Sequence, residues 1–217
     1  MRCTAALSWR LPVRLSLCRS RLLDHTGNGA VPFVARIGVS GSESTHVSCF
    51  TDDLGCGEGA DACWLAEHGW TVVAVDISEN ALQRATAAAE AKGLADRIEF
   101  VQHDLSDSFP DGTFDLISAQ FLHSMIPFDR PRLLKRAAAA VRQGGVLLIV
   151  DHAGPPPWPS KLDHHHHEFP SAEEVIAGLE LGEDWERVRV DTVERQAKGP
   201  DGETWPWIDN VIVLRRR

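Results

Sequence analysis

Hydrophobic positions along the chain alternate between two periods from Leu54 onward. TVVAVD, residues 71–76, is a β-branched apolar run that ends in an acid, the pattern of a strand buried on both faces. Ser78 then stands as a helix N-cap, and Ala81, Leu82, Ala85 and Ala89 recur at helical spacing until Gly93. RIEFVQHD (97–104) and FDLISAQFL (114–122) predict two more strands. RPRLLKRAAAAVRQGG (130–145) predicts a helix with Pro131 in its first turn and Gly144-Gly145 at its end. VLLIVDH (146–152) is apolar without alternation and predicts a fully buried strand. Such a succession implies an α/β, doubly wound, mostly parallel sheet of Rossmann-like type, with helices on both faces.

The last third of the chain changes character. AGPPPWPSKLDHHHHEF carries too many prolines for regular structure and predicts a loop. Ser171 and Glu174 form a capping-box pattern opening a helix through about Leu181. WERVRVDTVER (185–195) and DNVIVLRR (209–216) both alternate with period two, and KGPDG (198–202) supplies turn residues between them. The expectation is a C-terminal antiparallel hairpin with a long connection, added to the parallel sheet.

Residues 1–52 follow neither pattern. Gly27, Gly29, Gly38 and Gly41 interrupt a stretch without sustained apolar period, and residues 1–23 hold five Arg and no acid. This segment is expected to be a poorly ordered leader unrelated to a folded domain of residues 53–217. Its basic start also fits an organelle transit peptide.

Composition narrows the function classes. With 22 basic and 31 acidic residues the net charge is −9, and because the leader is basic the remainder is more acidic still. No phosphate-tracking stripe of Lys and Arg is present, which argues against nucleic acid, and Arg215–Arg217 are too few to restore one. No apolar run of about 18 residues occurs, so no membrane helix is expected. Five Cys without a CxxC pair suggest neither a disulfide framework nor a zinc ribbon, and a reducing cytoplasmic setting is the simpler reading. His164–His167 are consecutive and cannot all face one ion, so no metal is expected. The chain has no Tyr, which removes any mechanism built on a phenol side chain.

The chemistry concentrates in Asp53-Leu54-Gly55-Cys56-Gly57-Glu58-Gly59, placed where a strand should pass into a helix. Alternate glycines let a ligand approach the backbone closely. Asp76 ends the next predicted strand, where an acid can accept hydrogen bonds from ribose hydroxyls, and Asp104 ends the one after. All three lie at the carboxyl edge of one sheet. Gly55, Gly57 and Ala60 also satisfy a dinucleotide pattern, so a nicotinamide-dependent oxidoreductase stays open at this point. Asp53 would repel a pyrophosphate, and a short-chain dehydrogenase would need a catalytic Tyr.

From Asp53 to Arg216 these motifs, in this order, resemble the class I S-adenosylmethionine-dependent methyltransferases, with a narrower likeness to bacterial small-molecule enzymes of the thiopurine and tellurite type. The resemblance implies S-adenosyl-L-methionine as cofactor, with Asp53, Gly55, Cys56, Gly57 and Gly59 against its methionine part. It implies Asp76 at the ribose, Ile77 among the cofactor-binding residues, Asp104 and Leu105 flanking the adenine, and Gln120 beneath the reacting methyl. The implied reaction is in-line methyl transfer to a small-molecule acceptor, by a monomer or weak homodimer. Where the acceptor is protonated a general base is needed, and His123 and His152, just after two of the strands, are the candidates. Cys56 reads as a packing residue and Trp158 as a candidate cleft wall. The family pattern breaks before Asp53. HVSCFTDD places Thr51 and Asp52 where buried apolar residues belong, and a lidding helix normally precedes them. A buried, unpaired Asp52 would have to shift its pKa or reach water. A second reading is therefore a cofactor-binding domain with little or no turnover because the N-terminal lid is missing.

Overall fold

The computed structural model describes residues 14–15, 39–40, 50–122, 128–158 and 169–217. Arg14–Leu15 and Val39–Ser40 form a small antiparallel ladder of their own. The main body is a seven-stranded sheet. In chain order its elements are β1 (Phe50–Leu54), α1 (Ala60–Glu67), β2 (Thr71–Asp76), α2 (Glu79–Ala91), β3 (Ile98–Gln102), β4 (Phe114–Gln120), α3 (Arg130–Ala140), β5 (Val141–His152), α4 (Ala172–Leu179), β6 (Trp185–Lys198) and β7 (Thr204–Arg216).

Strands run β3-β2-β1-β4-β5-β7-β6 across the sheet. The first five are parallel, and β7 lies antiparallel to both β5 and β6. The order reverses between β1 and β4, and such a switch point opens a crevice at the carboxyl ends of the strands. Two apolar layers clamp the sheet. Ala62, Leu65 and Ala66 of α1 and Ala89 of α2 pack with Val72, Leu116, Leu148 and Val211 on one face. Leu134, Ala137 and Ala138 of α3 and Val175 and Ile176 of α4 pack with Ile117, Leu147 and Ile212 on the other. The small residues of α1 and α2 let those helices approach the strands closely.

Local signals place the helices. Ser78 Oγ accepts from Ala81 N at the start of α2, and Ser171 with Glu174 makes the full reciprocal capping box of α4. Among the described residues no helix is long and apolar enough to cross a membrane.

Three expectations need correction. The helix expected through Gly145 ends at Ala140, because Val141 turns to extended geometry and pairs with Phe114, so Val141–Gly145 belong to β5. The hairpin connection expected to be long is only Gly199–Glu203, since β6 and β7 extend up to the KGPDG turn. Pro206 is tolerated within β7 because β7 there is paired on one side only. The boundary placed after residue 52 cuts β1, whose Phe50, Thr51 and Asp52 are in register with β2 and, from Thr51, with β4.

Candidate functional site

The glycine loop leaves β1 at the switch point. Gly55 N and Cys56 N both donate to Val75 O at 2.9 Å, tying the loop to β2. Gly55 has φ +71°, and a Cβ there would lie 2.7 Å from Leu122 Cδ1. Gly59, the N-cap of α1, has φ +76°, and its Cβ would lie 2.9 Å from Ala85 Cβ. Neither position accepts a side chain without strain. The loop is thus pressed between the end of β4 and α2, with its backbone toward the carboxyl edge.

Asp76 pins this loop from the neighbouring strand. Its Oδ2 accepts from Gly57 N at 2.9 Å and its Oδ1 from Ser78 N at 2.8 Å, which leaves each oxygen a further lone pair. Ile77 beside it is 59% exposed, a large apolar side chain presented to solvent at the edge. Asp104 is exposed and accepts from Ser106 N at 2.8 Å, while Leu105 packs half-buried against the sheet. Gln120, the last residue of β4, donates from Nε2 to Ser118 Oγ at 2.9 Å.

Buried acceptors left without hydrogen-bond partners collect here. Among the described residues Asp53 Oδ2 and Gln120 Oε1 have none. Burial, together with the carboxylates of Asp61, Asp52 and Asp76, holds the Asp53 carboxyl well above the usual range. The same desolvation, with Asp53 and Asp76 nearby, pushes the Cys56 thiol up, so its thiolate is disfavoured and a nucleophilic role with it. The carboxylates of Asp61 and Asp76 beside the buried Asp53 favour a cationic group over a pyrophosphate.

Asp52 also lies in β1, between Val73 of β2 and Ile117 of β4. It is fully buried, and neither carboxylate oxygen has a partner among the described residues. Burial raises its pKa from 3.8 to about 7.

Of the two candidate bases, His123 lies outside the described residues, as do His164–His167. His152 ends β5 and is held by residues sequence reasoning did not single out. Its Nδ1 lies within hydrogen-bond distance of Asp209 Oδ1 at 2.9 Å, and Arg195 Nε donates to Asp209 Oδ2 at 2.5 Å. These contacts span 57 and 14 residues along the chain, so no local pattern announces them. An open depression of about 490 Å³ near Phe109, Thr113, Arg136 and Ala140 lies at the amino edge and shares no residue with the glycine loop.

The sheet order, with a glycine loop at its switch point, is that of the Rossmann-like methyltransferase folds. The methyltransferase-domain family matches residues 53–145. The methyltransferase GfsG of Streptomyces halstedii is 39% identical over 98 residues, 42% of this chain and 34% of that protein. Nocamycin O-methyltransferase of Saccharothrix syringae is 33% identical over 93 residues, 42% of this chain and 33% of that protein. The chain thus spans about a third of the length of these curated relatives. TehB of Haemophilus influenzae shares the fold with TM-score 0.59 at 20% identity, over 78% of this chain and 58% of that one. Residues 53–145 thus match a methyltransferase domain, and the sheet has the fold that methyltransferases share.

Proposed function

We propose that this chain binds S-adenosylmethionine across the glycine loop and transfers its methyl group in line to a small-molecule acceptor. The observation that carries the reading is the buried, unpartnered Asp53 Oδ2 among neighbouring acids, beside a loop in which Gly55 and Gly59 have no room for a side chain. The cofactor is cationic at both its ammonium and its sulfonium, and that charge matches those acids. A nicotinamide dinucleotide would bring a doubly charged pyrophosphate to the same carboxylates.

In this reading Asp53 takes the ammonium, and the backbone of Gly55, Cys56, Gly57 and Gly59 lies along the methionine chain. Asp76 offers its remaining lone pairs to the ribose hydroxyls. Exposed Ile77 and half-buried Leu105 cover the two sides of the adenine, and Asp104 accepts from its amine. Gln120 Oε1 lies at the end of β4, beside the reacting centre. Bound here, the cofactor supplies a methyl on a sulfonium, whose departure as a neutral thioether needs no acid. The protein's part is to align the acceptor and exclude water. The functional unit begins with β1 rather than at Asp53. O-methylation by a relative of this domain, as in nocamycin O-methyltransferase, supports a small-molecule acceptor.

Calorimetry with S-adenosylmethionine, S-adenosylhomocysteine and NADH tests this reading. Binding of the first two and none of NADH is expected. NADH binding without a response to the others refutes it.

A further inference from the structure

The β6–β7 hairpin is longer than the sheet requires. The pairing of β5 with β7 ends just past His152 opposite Asp209, with Ala153 N donating to Ile208 O at 2.9 Å, yet β6 stays paired to β7 as far as Lys198 opposite Thr204. Arg195–Lys198 and Thr204–Trp207 therefore project as a two-stranded arm past the carboxyl edge. Arg195 and Trp207 are a cross-strand pair on that arm.

The arm closes over the end of β5. Trp207 stacks on His152 with ring centroids 3.9 Å apart and planes at 14°, and Phe121 lies 4.6 Å away on a tilted plane. Trp158 meets Trp207 edge-on at 5.0 Å. The Arg195 guanidinium carbon sits 5.0 Å from the Trp207 ring and 5.4 Å from that of Phe121. This cluster adjoins the glycine loop through two consecutive residues, Phe121 against His152 and Leu122 against the Gly55 position. Phe121 adopts φ +50°, an uncommon geometry for a side-chain-bearing residue, at the junction.

Asp209, fully buried at the centre, bridges His152 and Arg195 with its two oxygens. A buried carboxylate needs one compensating charge, and Arg195 provides it. The imidazole then serves as a neutral donor from Nδ1, which puts the lone pair on Nε2. A carboxylate that fixes the tautomer of an adjacent histidine is the arrangement of a general base. A thiol ionises readily and needs no such base; a phenol-type hydroxyl keeps its proton at neutral pH.

We propose that Asp209 and Arg195 are positioning residues that hold His152 as general base for an acceptor hydroxyl on a flat conjugated ring, with Phe121, Trp158 and Trp207 as its aromatic surround. This rests on the methyltransferase reading above. The acceptor O–H bond breaks as His152 Nε2 takes the proton. The oxygen pair forms the new C–O bond to the methyl group, and the C–S bond electrons return to sulfur as the neutral thioether. Asp209 stays ionised throughout.

The test uses the full chain labelled with ¹⁵N-histidine, the His152 signals being those lost in His152→Gln. His152 is expected to carry its proton on Nδ1. In Asp209→Asn the amide donates instead, and the proton moves to Nε2. A wild-type ring protonated on Nε2, or one unmoved in Asp209→Asn, overturns the proposal, and the wild-type measurement stands even if the variant does not fold. In parallel, methyl-labelled cofactor is offered with flat phenols, thiols and amines. Label is expected in the phenols, with kcat lowered about 100-fold in Asp209→Asn at unchanged phenol KM and S-adenosylhomocysteine affinity. Faster labelling of thiols or amines, or no labelled phenol from a chain that binds S-adenosylhomocysteine, overturns it. A chain that binds no S-adenosylhomocysteine refutes the function reading instead, and the tautomer still judges the clamp.

Discussion

Replacing Asp52 with Asn is expected to stabilise this protein at neutral pH and to do nothing of the kind in acid. Asp52 occupies the middle of β1, fully buried between Val73 and Ile117, with neither oxygen partnered among the described residues. Unfolded, the carboxyl ionises near 3.8; folded, it holds its proton to about 7. Well below 3.8 the group is neutral in both states and carries no penalty. Between the two values the unfolded chain releases a proton that the folded chain keeps, so stability falls by about 1.4 kcal/mol per pH unit. Above pH 7 the loss levels off at about 4 kcal/mol. Asn keeps the shape and polarity and cannot ionise, so its advantage should grow from under about 1 kcal/mol at pH 4 to about 4 kcal/mol at pH 8. For a body of this size that corresponds to a rise in Tm of about 8–16 °C at pH 8.

Urea denaturation of both proteins from pH 4 to pH 8 reads the difference directly. The neighbouring Asp53 reinforces it, because the Asp52 charge helps to raise the Asp53 pKa and its removal relaxes that carboxylate as well. Parallel stability curves across the range, or an Asn variant less stable at pH 8, would refute the reasoning. Either result would mean that Asp52 finds a partner or water that the described residues do not supply.

Other substitutions test the loop. Gly55→Ala drives a Cβ to 2.7 Å from Leu122 Cδ1 at a φ of +71°, and should cost about 1–3 kcal/mol of stability and abolish cofactor binding measured by calorimetry. Asp76→Ala removes both the expected ribose acceptor and the clamp on Gly57 N, and should weaken S-adenosylhomocysteine binding by about 1–3 kcal/mol; an unchanged affinity would refute its role. Ser171→Ala breaks the capping box of α4 and should cost about 1 kcal/mol in thermal unfolding with cofactor affinity unchanged.

What could be read from the sequence is what local rules determine. The strand ending in Asp76, the Ser78 and Ser171 caps and the glycine loop each depend on residues within a few positions of one another, and each forms as the pattern predicts. Asp52 was legible as an anomaly for the same reason: one acid in a strand position is visible without knowing its neighbours. The end of α3 was not, because Ala-rich helix and buried strand share an apolar composition there, and only pairing with Phe114 decides for Val141.

The His152 cluster marks the limit from the other side. His152 stands out in the sequence only as a residue just after a strand; what gives it chemistry is Asp209 and Arg195, brought to it by β7 lying against β5 and by β6 against β7. In an antiparallel pair a one-residue slip turns each side chain to the opposite face. A slip of β7 against β5 would therefore take Asp209 away from His152 while leaving the alternating apolar pattern on the strand intact. Register is fixed instead by burial: Val211 and Val213 face one apolar layer, Ile212 and Leu214 the other, and that parity puts Asp209 on the same face as His152. The core packing of the hairpin and the placement of the candidate base are thus one constraint, so a substitution that shifts the register of β7 should remove the clamp without touching any residue in it.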